Sequence, residues 1–242
     1  MTVAISTLLP DARIELPGIP EPVLTGALYR VTRKFFWESE AWRYTSDNGL
    51  DWTLNQLALN LPVAGTDMPV NTVIKRVDDV KYSSTGAGDG YTTIVPFQTR
   101  DELDRWDANW RHATGSSPNA WTNDADGLAL ITPQVETTVT LAFLVRVIIA
   151  PVFTATTDTL PEVLYYENEE AIRSGILHEL MKQPGKDWTN ADMSIFYKAI
   201  YDDGVKMAKS RANASYGQPK GEMAYGGIGG QQDRQRDDYG RR

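Results

Sequence analysis

The stretch Val139-Thr-Leu-Ala-Phe-Leu-Val-Arg-Val-Ile-Ile-Ala-Pro-Val-Phe153 places Val139, Leu141, Phe143, Val145, Val147 and Ile149 at every second position. A period of two sends alternate side chains to one face of an extended backbone, so this segment is predicted to be a strand facing a core. Thr140, Arg146 and Pro151 interrupt it, and it falls short of the roughly 20 apolar residues that a membrane-spanning helix needs. Upstream, Ala120–Thr122 and Leu128–Ile131 flank Asp126-Gly127, a dipeptide that takes up the positive φ angles of a tight hairpin. Val73, Ile74, Val77, Val80 and Tyr82 form a β-branched run, Leu57, Leu59 and Leu61 alternate, and Tyr91–Phe97 completes the strands. Thr99 followed by Glu102 is a capping box, which opens a short helix over 99–111 with Leu103, Trp106 and Trp110 on one face.

Outside this region the period lengthens. Pro17, Pro20 and Pro22 set up an extended approach to a helix over about 21–44, with Val23, Leu24, Ala27, Leu28, Val31, Phe35 and Trp42 inward and Arg30, Arg33, Lys34, Glu38 and Glu40 on the other side. Tyr165, Glu169, Ile172, Ile176 and Leu180 mark a second helix, which Pro184-Gly185 ends. Thr189 and Asp192 open a third, carried by Met193, Phe196, Tyr197, Ile200, Gly204 and Met207 to about 213. The predicted class is α+β: an N-terminal helix packed on a C-terminal helical hairpin, with a small sandwich- or barrel-like β domain inserted. The parts are an arm and bundle helix over 1–50, the β domain over 51–156, the hairpin over 157–213 and an extended tail over 214–242.

Charge divides along the same lines. With 24 basic and 32 acidic side chains the net charge is −8; the glycine-rich residues 216–242 carry five bases against four acids, leaving −9 on the body. Such a field gives no general attraction to nucleic acid or acidic membranes. The tail holds too little apolar surface to fold alone. Cysteine is absent, and Met1–Arg13 shows no basic run leading into an apolar one, so synthesis in a cytoplasm is expected without a secretory signal.

Catalytic chemistry is poorly represented. His178-Glu179 begins the two-histidine zinc motif, but position 182 is lysine, so a helix-surface histidine is the expectation. Gly86-Ala-Gly-Asp-Gly90 leads into Tyr91 and a strand, not into the helix that a phosphate-cradling loop requires. Asp124-Ala-Asp126-Gly127 puts Thr122 where a calcium loop has its first ligand. Asp78-Asp79 and Asp202-Asp203 are expected on solvated faces. No catalytic, cofactor or metal site is assigned. Seven tryptophans and eleven tyrosines instead suit a core or an interface.

Three separated stretches together resemble one family, the head-to-tail adaptor (connector) proteins of short-tailed bacteriophages. They are Leu16-Pro-Gly-Ile-Pro-Glu-Pro22 with the helix ending Phe35-Phe-Trp-Glu-Ser-Glu-Ala-Trp-Arg43; Leu103-Asp-Arg-Trp-Asp-Ala-Asn-Trp-Arg111 with Thr114-Gly115; and Leu160-Pro161 with Met181-Lys-Gln-Pro-Gly-Lys-Asp-Trp188 and the helix bearing Phe196 and Tyr197. Pro17, Pro20, Trp42, Trp106, Trp110, Pro184, Gly185 and Trp188 are the positions that carry the match. The resemblance implies a non-enzymatic virion protein without cofactor. It would form a homo-oligomeric ring, dodecameric in relatives, at the head-tail junction between the portal protein and a downstream tail (nozzle) protein, with genomic double-stranded DNA passing through its lumen. It would be assembled in the host bacterial cytoplasm and make no contact with a membrane. Relatives grip the portal through an extended C-terminal segment, which here implies Tyr225, Ile228 and Tyr239 as apolar anchors and Arg234, Arg236, Arg241 and Arg242 as charge partners. Arg173–His178 departs from the alanine-rich relatives, as does the long tail. Rival readings are another tail component, such as a nozzle or tail-completion protein, and a carbohydrate-binding module with Trp52 and Trp121 exposed in line.

Overall fold

A computed structural model describes residues 1–46, 49–52, 58–59, 61–62, 64, 68–85, 90–97, 99–123, 129–136, 138–153 and 158–216. The chain opens with β1 (Thr2–Ala4), a 3₁₀ turn (Ile5–Leu8), α1 (Leu9–Glu15) and α2 (Glu21–Ser39). A run of strands follows: β2 (Arg43–Thr45), β3 (Leu50–Trp52), β4 (Ala58–Leu59), β5 (Thr72–Tyr82), β6 (Thr92–Thr93) and β7 (Val95–Phe97). Next come α3 (Arg100–Trp106), β8 (Thr114–Gly115), β9 (Ala120–Asn123), β10 (Ala129–Thr132), β11 (Gln134–Val135), β12 (Val139–Pro151) and β13 (Thr159–Pro161). The chain then forms α4 (Glu162–Tyr166), α5 (Glu169–Met181) and α6 (Ala191–Tyr216).

The alternating segment is β12, and it organises the largest sheet. It pairs antiparallel with β5 on one side, from Phe143 opposite Tyr82 to Pro151 opposite Thr72, and with β2 and β3 on the other. Phe143, Val145, Val147 and Ile149 are fully buried as the period requires; Ile148 and Ala150, on the opposite face, are buried as well. Leu141 breaks the pattern. It sits at φ 53° inside a register shift against β3, with its N–H donated to Asp51 Oδ1 (2.8 Å) and its carbonyl accepting from the Tyr91 hydroxyl (2.8 Å). The bulge turns its side chain outward, 43% exposed. A second sheet runs β4-β10-β9-β7, in which the expected hairpin strands β9 and β10 pair antiparallel, while β1 pairs with β13 and β8 with β11.

The expected helical bundle with a small inserted β domain is not what the chain forms. Of the described residues 43% are helical and 30% are in strands, divided among several sheets with a half-barrel among them. One buried cluster joins Leu28 and Phe35 of α2, Leu177 and Leu180 of α5 and Tyr201 of α6 to Val77, Val80, Val145 and Val147 of the main sheet. The sheet needs a cover for its inner face and α2 provides it, so helices and sheet share a core.

Three helix boundaries also differ from the periodicity. α2 ends at Ser39 because Glu40 turns left-handed, at φ 54°, and Trp42 reaches the core from beyond the helix, edge-on to Phe36 at 5.8 Å. The helix expected to follow Thr159 is broken at Glu167–Asn168, where the Asn168 amide donates to the Leu164 carbonyl (2.8 Å). Thr189 is not the cap of α6: Asn190 Oδ1 accepts from the Met193 N–H (3.1 Å), and the Thr189 hydroxyl closes the preceding loop onto Gln183.

The three long helices cross at glycines. A Cβ on Gly175 of α5 would come within 2.5 Å of the Tyr201 ring and 2.6 Å of Val31, and one on Gly204 of α6 within 2.3 Å of the Ala171 methyl. Alanine at either position forces the helices apart, an overpacking penalty that exceeds the gain in helix propensity. Gly175→Ala and Gly204→Ala are each expected to destabilise the fold by about 1–3 kcal/mol in denaturant titrations, whereas alanine at the exposed Ser210 leaves the midpoint unchanged.

Candidate functional site

Apart from Trp42, which sits in the core against Phe36, the positions that carry the family resemblance lie in three places. Pro17 is exposed in the α1–α2 loop and Pro20 is the extended N-cap of α2. Pro184 and Gly185 form the α5–α6 loop, with Gly185 at φ 72°, and Trp188 is half-buried against the main core. Trp106 and Trp110 do not share a face. α3 starts as expected, with Thr99 Oγ1 accepting from the Glu102 N–H (3.2 Å), but it ends at Trp106. Trp110 follows in a turn, fully buried with Leu103, Ala120 and Leu130 in a second small core. Asp104 fastens it, accepting from the indole N–H (2.6 Å) and from Arg111 (2.6 Å), whose guanidinium lies 4.5 Å over the indole. Trp106 is left 53% exposed against Phe97 of the edge strand β7, which also carries the exposed Val95.

Other apolar side chains face outward on the helices: Ile14 on α1, Trp37 on α2, Val163 and Tyr166 on α4, and Ile195, Phe196 and Met207 on α6. An open groove of about 570 Å³ between α1 and the start of α2 is lined by Leu9, Pro10 and Ile14, with Arg13 paired to Glu21 at its rim (3.2 Å). Trp121 is only 2% exposed, which removes it from the sugar-stacking platform of the carbohydrate-binding alternative. The side chain of Trp52 lies outside the described residues, as do residues 86–89 and 124–128 and all seven candidate tail residues, Tyr225, Ile228, Arg234, Arg236, Tyr239, Arg241 and Arg242.

The acidic pairs divide. Asp78 and Asp79 are not solvated: Asp78 lies between Arg43 (3.4 Å) and Arg146 (2.7 Å), and Arg146 also approaches Asp79 (3.7 Å). Asp202 pairs with Lys198 on the surface, and Asp203 is exposed. His178 is half-buried rather than free on the helix surface, its Nδ1 within 2.9 Å of the Ser194 hydroxyl and 3.0 Å of the Ser194 carbonyl, and burial lowers its pKa. Among the described residues no three His, Asp or Glu side chains are grouped to hold a metal, and no helix is long and apolar enough to cross a membrane.

The most connected charge is one that periodicity placed on an outer helix face. Glu40 accepts from Lys75 (2.8 Å) and Arg76 (3.1 Å) of β5, with Lys209 of α6 at 3.6 Å. Burial alone would raise its pKa, but the hydrogen bonds from Arg76 and Lys75 and their positive charge outweigh it, holding the carboxyl at about 2 instead of 4.5.

Apolar side chains presented on rigid helices and an edge strand are features of a protein that works by contact. The chain belongs to the SU10 adaptor protein family, whose sequence profile matches residues 1–222. That membership bears out the resemblance to phage head-to-tail adaptors. No curated protein matches the chain.

Glu40 makes stability depend on acid in a defined direction. Its folded-state pKa is depressed, so its contribution is complete above about pH 5 and is lost as the pH falls from the unfolded-state value toward 2. Glu40→Gln is expected to cost about 3 kcal/mol at pH 7 in urea titrations, with the gap to the native protein closing by about pH 2. The two tryptophans separate in the same assay: Trp110→Ala costs about 3–5 kcal/mol, and Trp106→Ala less than about 1 kcal/mol.

Proposed function

We propose that the protein is the head-to-tail adaptor of a tailed bacteriophage, a structural virion component without enzymatic activity. It forms a ring, dodecameric as in the proteins it resembles, with the portal protein on one side and the next tail protein on the other, and genomic double-stranded DNA passes through the lumen. Assembly takes place in the cytoplasm of the host bacterium. The observation that carries this is the family match, which runs through nearly the whole chain. The charge supports it: a body at −9 does not hold phosphates, as a conduit for sliding DNA requires. The exposed aromatic and aliphatic residues of α4, α6 and the α3–β7 edge supply contact surface for neighbours.

In this role the part of the 214–242 segment that lies beyond α6, residues 217–242, is the strap to the portal, with Tyr225, Ile228 and Tyr239 as apolar anchors and Arg234, Arg236, Arg241 and Arg242 as charge partners. The family match stops at 222, so the strap is for the most part this chain's own. An extended segment that orders on binding loses entropy, and repetition around a ring offsets that loss through avidity.

Electron microscopy of the protein mixed with its portal is expected to show a ring stacked coaxially on the portal; binding to the tail protein but not to the portal would overturn the assignment. Deletion of 217–242 is expected to leave a folded protein, with a cooperative thermal unfolding transition, that no longer co-sediments with the portal. Undiminished co-sedimentation would remove the strap from the tail.

A further inference from the structure

Charge is segregated at one end of the helical layer. Residues 162–170, spanning α4 and the start of α5, contain Glu162, Glu167, Glu169 and Glu170 and neither lysine nor arginine. Residues 204–216, the second half of α6, contain Lys206, Lys209 and Arg211 and no acid. Each run presents apolar side chains amid its charge: Val163 and Tyr166 are 65% and 59% exposed in the first, and Met207 is 57% exposed in the second.

The two surfaces do not neutralise each other within the chain. Among the described residues none of the four glutamates is in an ion pair, and neither is Lys206. Lys209 turns toward Glu40 (3.6 Å), and Arg211 donates to the Glu167 carbonyl and to Asn168 Oδ1, both at 3.0 Å. Those bonds fix α6 beside the α4–α5 junction, so the acidic and basic surfaces are neighbours on one rigid body. Neighbouring surfaces on a rigid body cannot close on each other, but two copies of the chain satisfy both.

We propose that the acidic surface of α4 and α5 in one copy docks against the outer face of α6 in a second copy. Tyr166, Val163 and Met207 supply the buried apolar area, and the opposed charges set the register and speed the encounter. The contact is heterologous: each copy gives one surface and receives on the other, the type of contact that closes into rings. The inference rests on the ring proposed above and adds which faces make it.

Charge reversal tests it. One variant carries Glu167→Lys, Glu169→Lys and Glu170→Lys, which leaves only Glu162 acidic on that surface; another carries Lys206→Glu, Ser210→Glu and Ser215→Glu, three acids against Lys209 and Arg211, all at exposed positions. Sedimentation velocity is run at low and at physiological salt, with and without the purified portal. The native protein is expected to self-associate, less so as salt rises, and each variant alone to associate at least about tenfold more weakly. An equimolar mixture is expected to recover, because the first variant has two basic surfaces and the second two acidic ones. Recovery on mixing also shows that both variants are folded. Variants that associate like the native protein, or a mixture no stronger than its components, would overturn this docking mode and leave the ring standing. A native protein that stays monomeric at low salt and on the portal would overturn the ring itself.

Discussion

The carboxylate of Glu40 ties together three parts of the molecule that no regular hydrogen-bond ladder connects. The chain must leave α2 and turn within a few residues into β2, which pairs along β12, and it does so through a left-handed glutamate. That conformation costs a non-glycine residue about 1 kcal/mol or more, and burial of a carboxylate costs further. Lys75 and Arg76 of β5 and Lys209 of α6 offset both, so the end of the cover helix, the sheet beneath it and the final helix meet at one anion. Arg43 extends the connection. From β2 it reaches Asp78 on β5 and Asn213 near the end of α6, which fastens the far end of that helix to the sheet.

This arrangement explains which elements were legible in the sequence. β12, β5 and the start of α3 follow from short-range pattern: alternation over a half-buried strand, and a hydroxyl capping the N–H three residues on. The end of α2 does not, because the cations that stop the helix at Glu40 come from positions 75, 76 and 209. Asp78 and Asp79 look like a solvated pair until Arg43 and Arg146 are brought beside them by strand pairing. The tryptophans of α3 show the same limit. Their spacing of four is helical, yet the helix ends at the first of them, and the second is set by Asp104, Arg111 and the β9–β10 surface.

The shared core of helices and sheet is hidden from the sequence pattern for a related reason. Periodicity is local, and it separates helical from extended segments without saying that they share a core. One signal was available: Val147-Ile-Ile-Ala150 is continuously apolar, which a strand with one wet face does not need. Burial of Ile148 and Ala150 accounts for it, since the strand that pairs with β2 and β5 is covered on both faces along this part of its length. The candidate surfaces were still less legible. Exposure of Tyr166 follows from the break at Asn168, and exposure of Leu141 from a bulge, and neither break nor bulge leaves a mark in the hydrophobic pattern.

A body held together in this way would suit the proposed ring subunit, which has to keep its shape both before and after assembly. Glu40 and Asp78 are each paired to cations from other elements, so they give rigidity without adding exposed apolar surface. Glycines at the crossings of α2, α5 and α6 bring the helices close, which keeps their outer faces in fixed relative positions. With a net charge of −8, copies repel one another at a distance, and only a local match of opposite charge at short range can reverse that. Such contacts are individually weak. In the proposed ring, a platform that holds copies side by side would make each contact effectively intramolecular, so a contact that joins free subunits only weakly would be strong enough to close the ring.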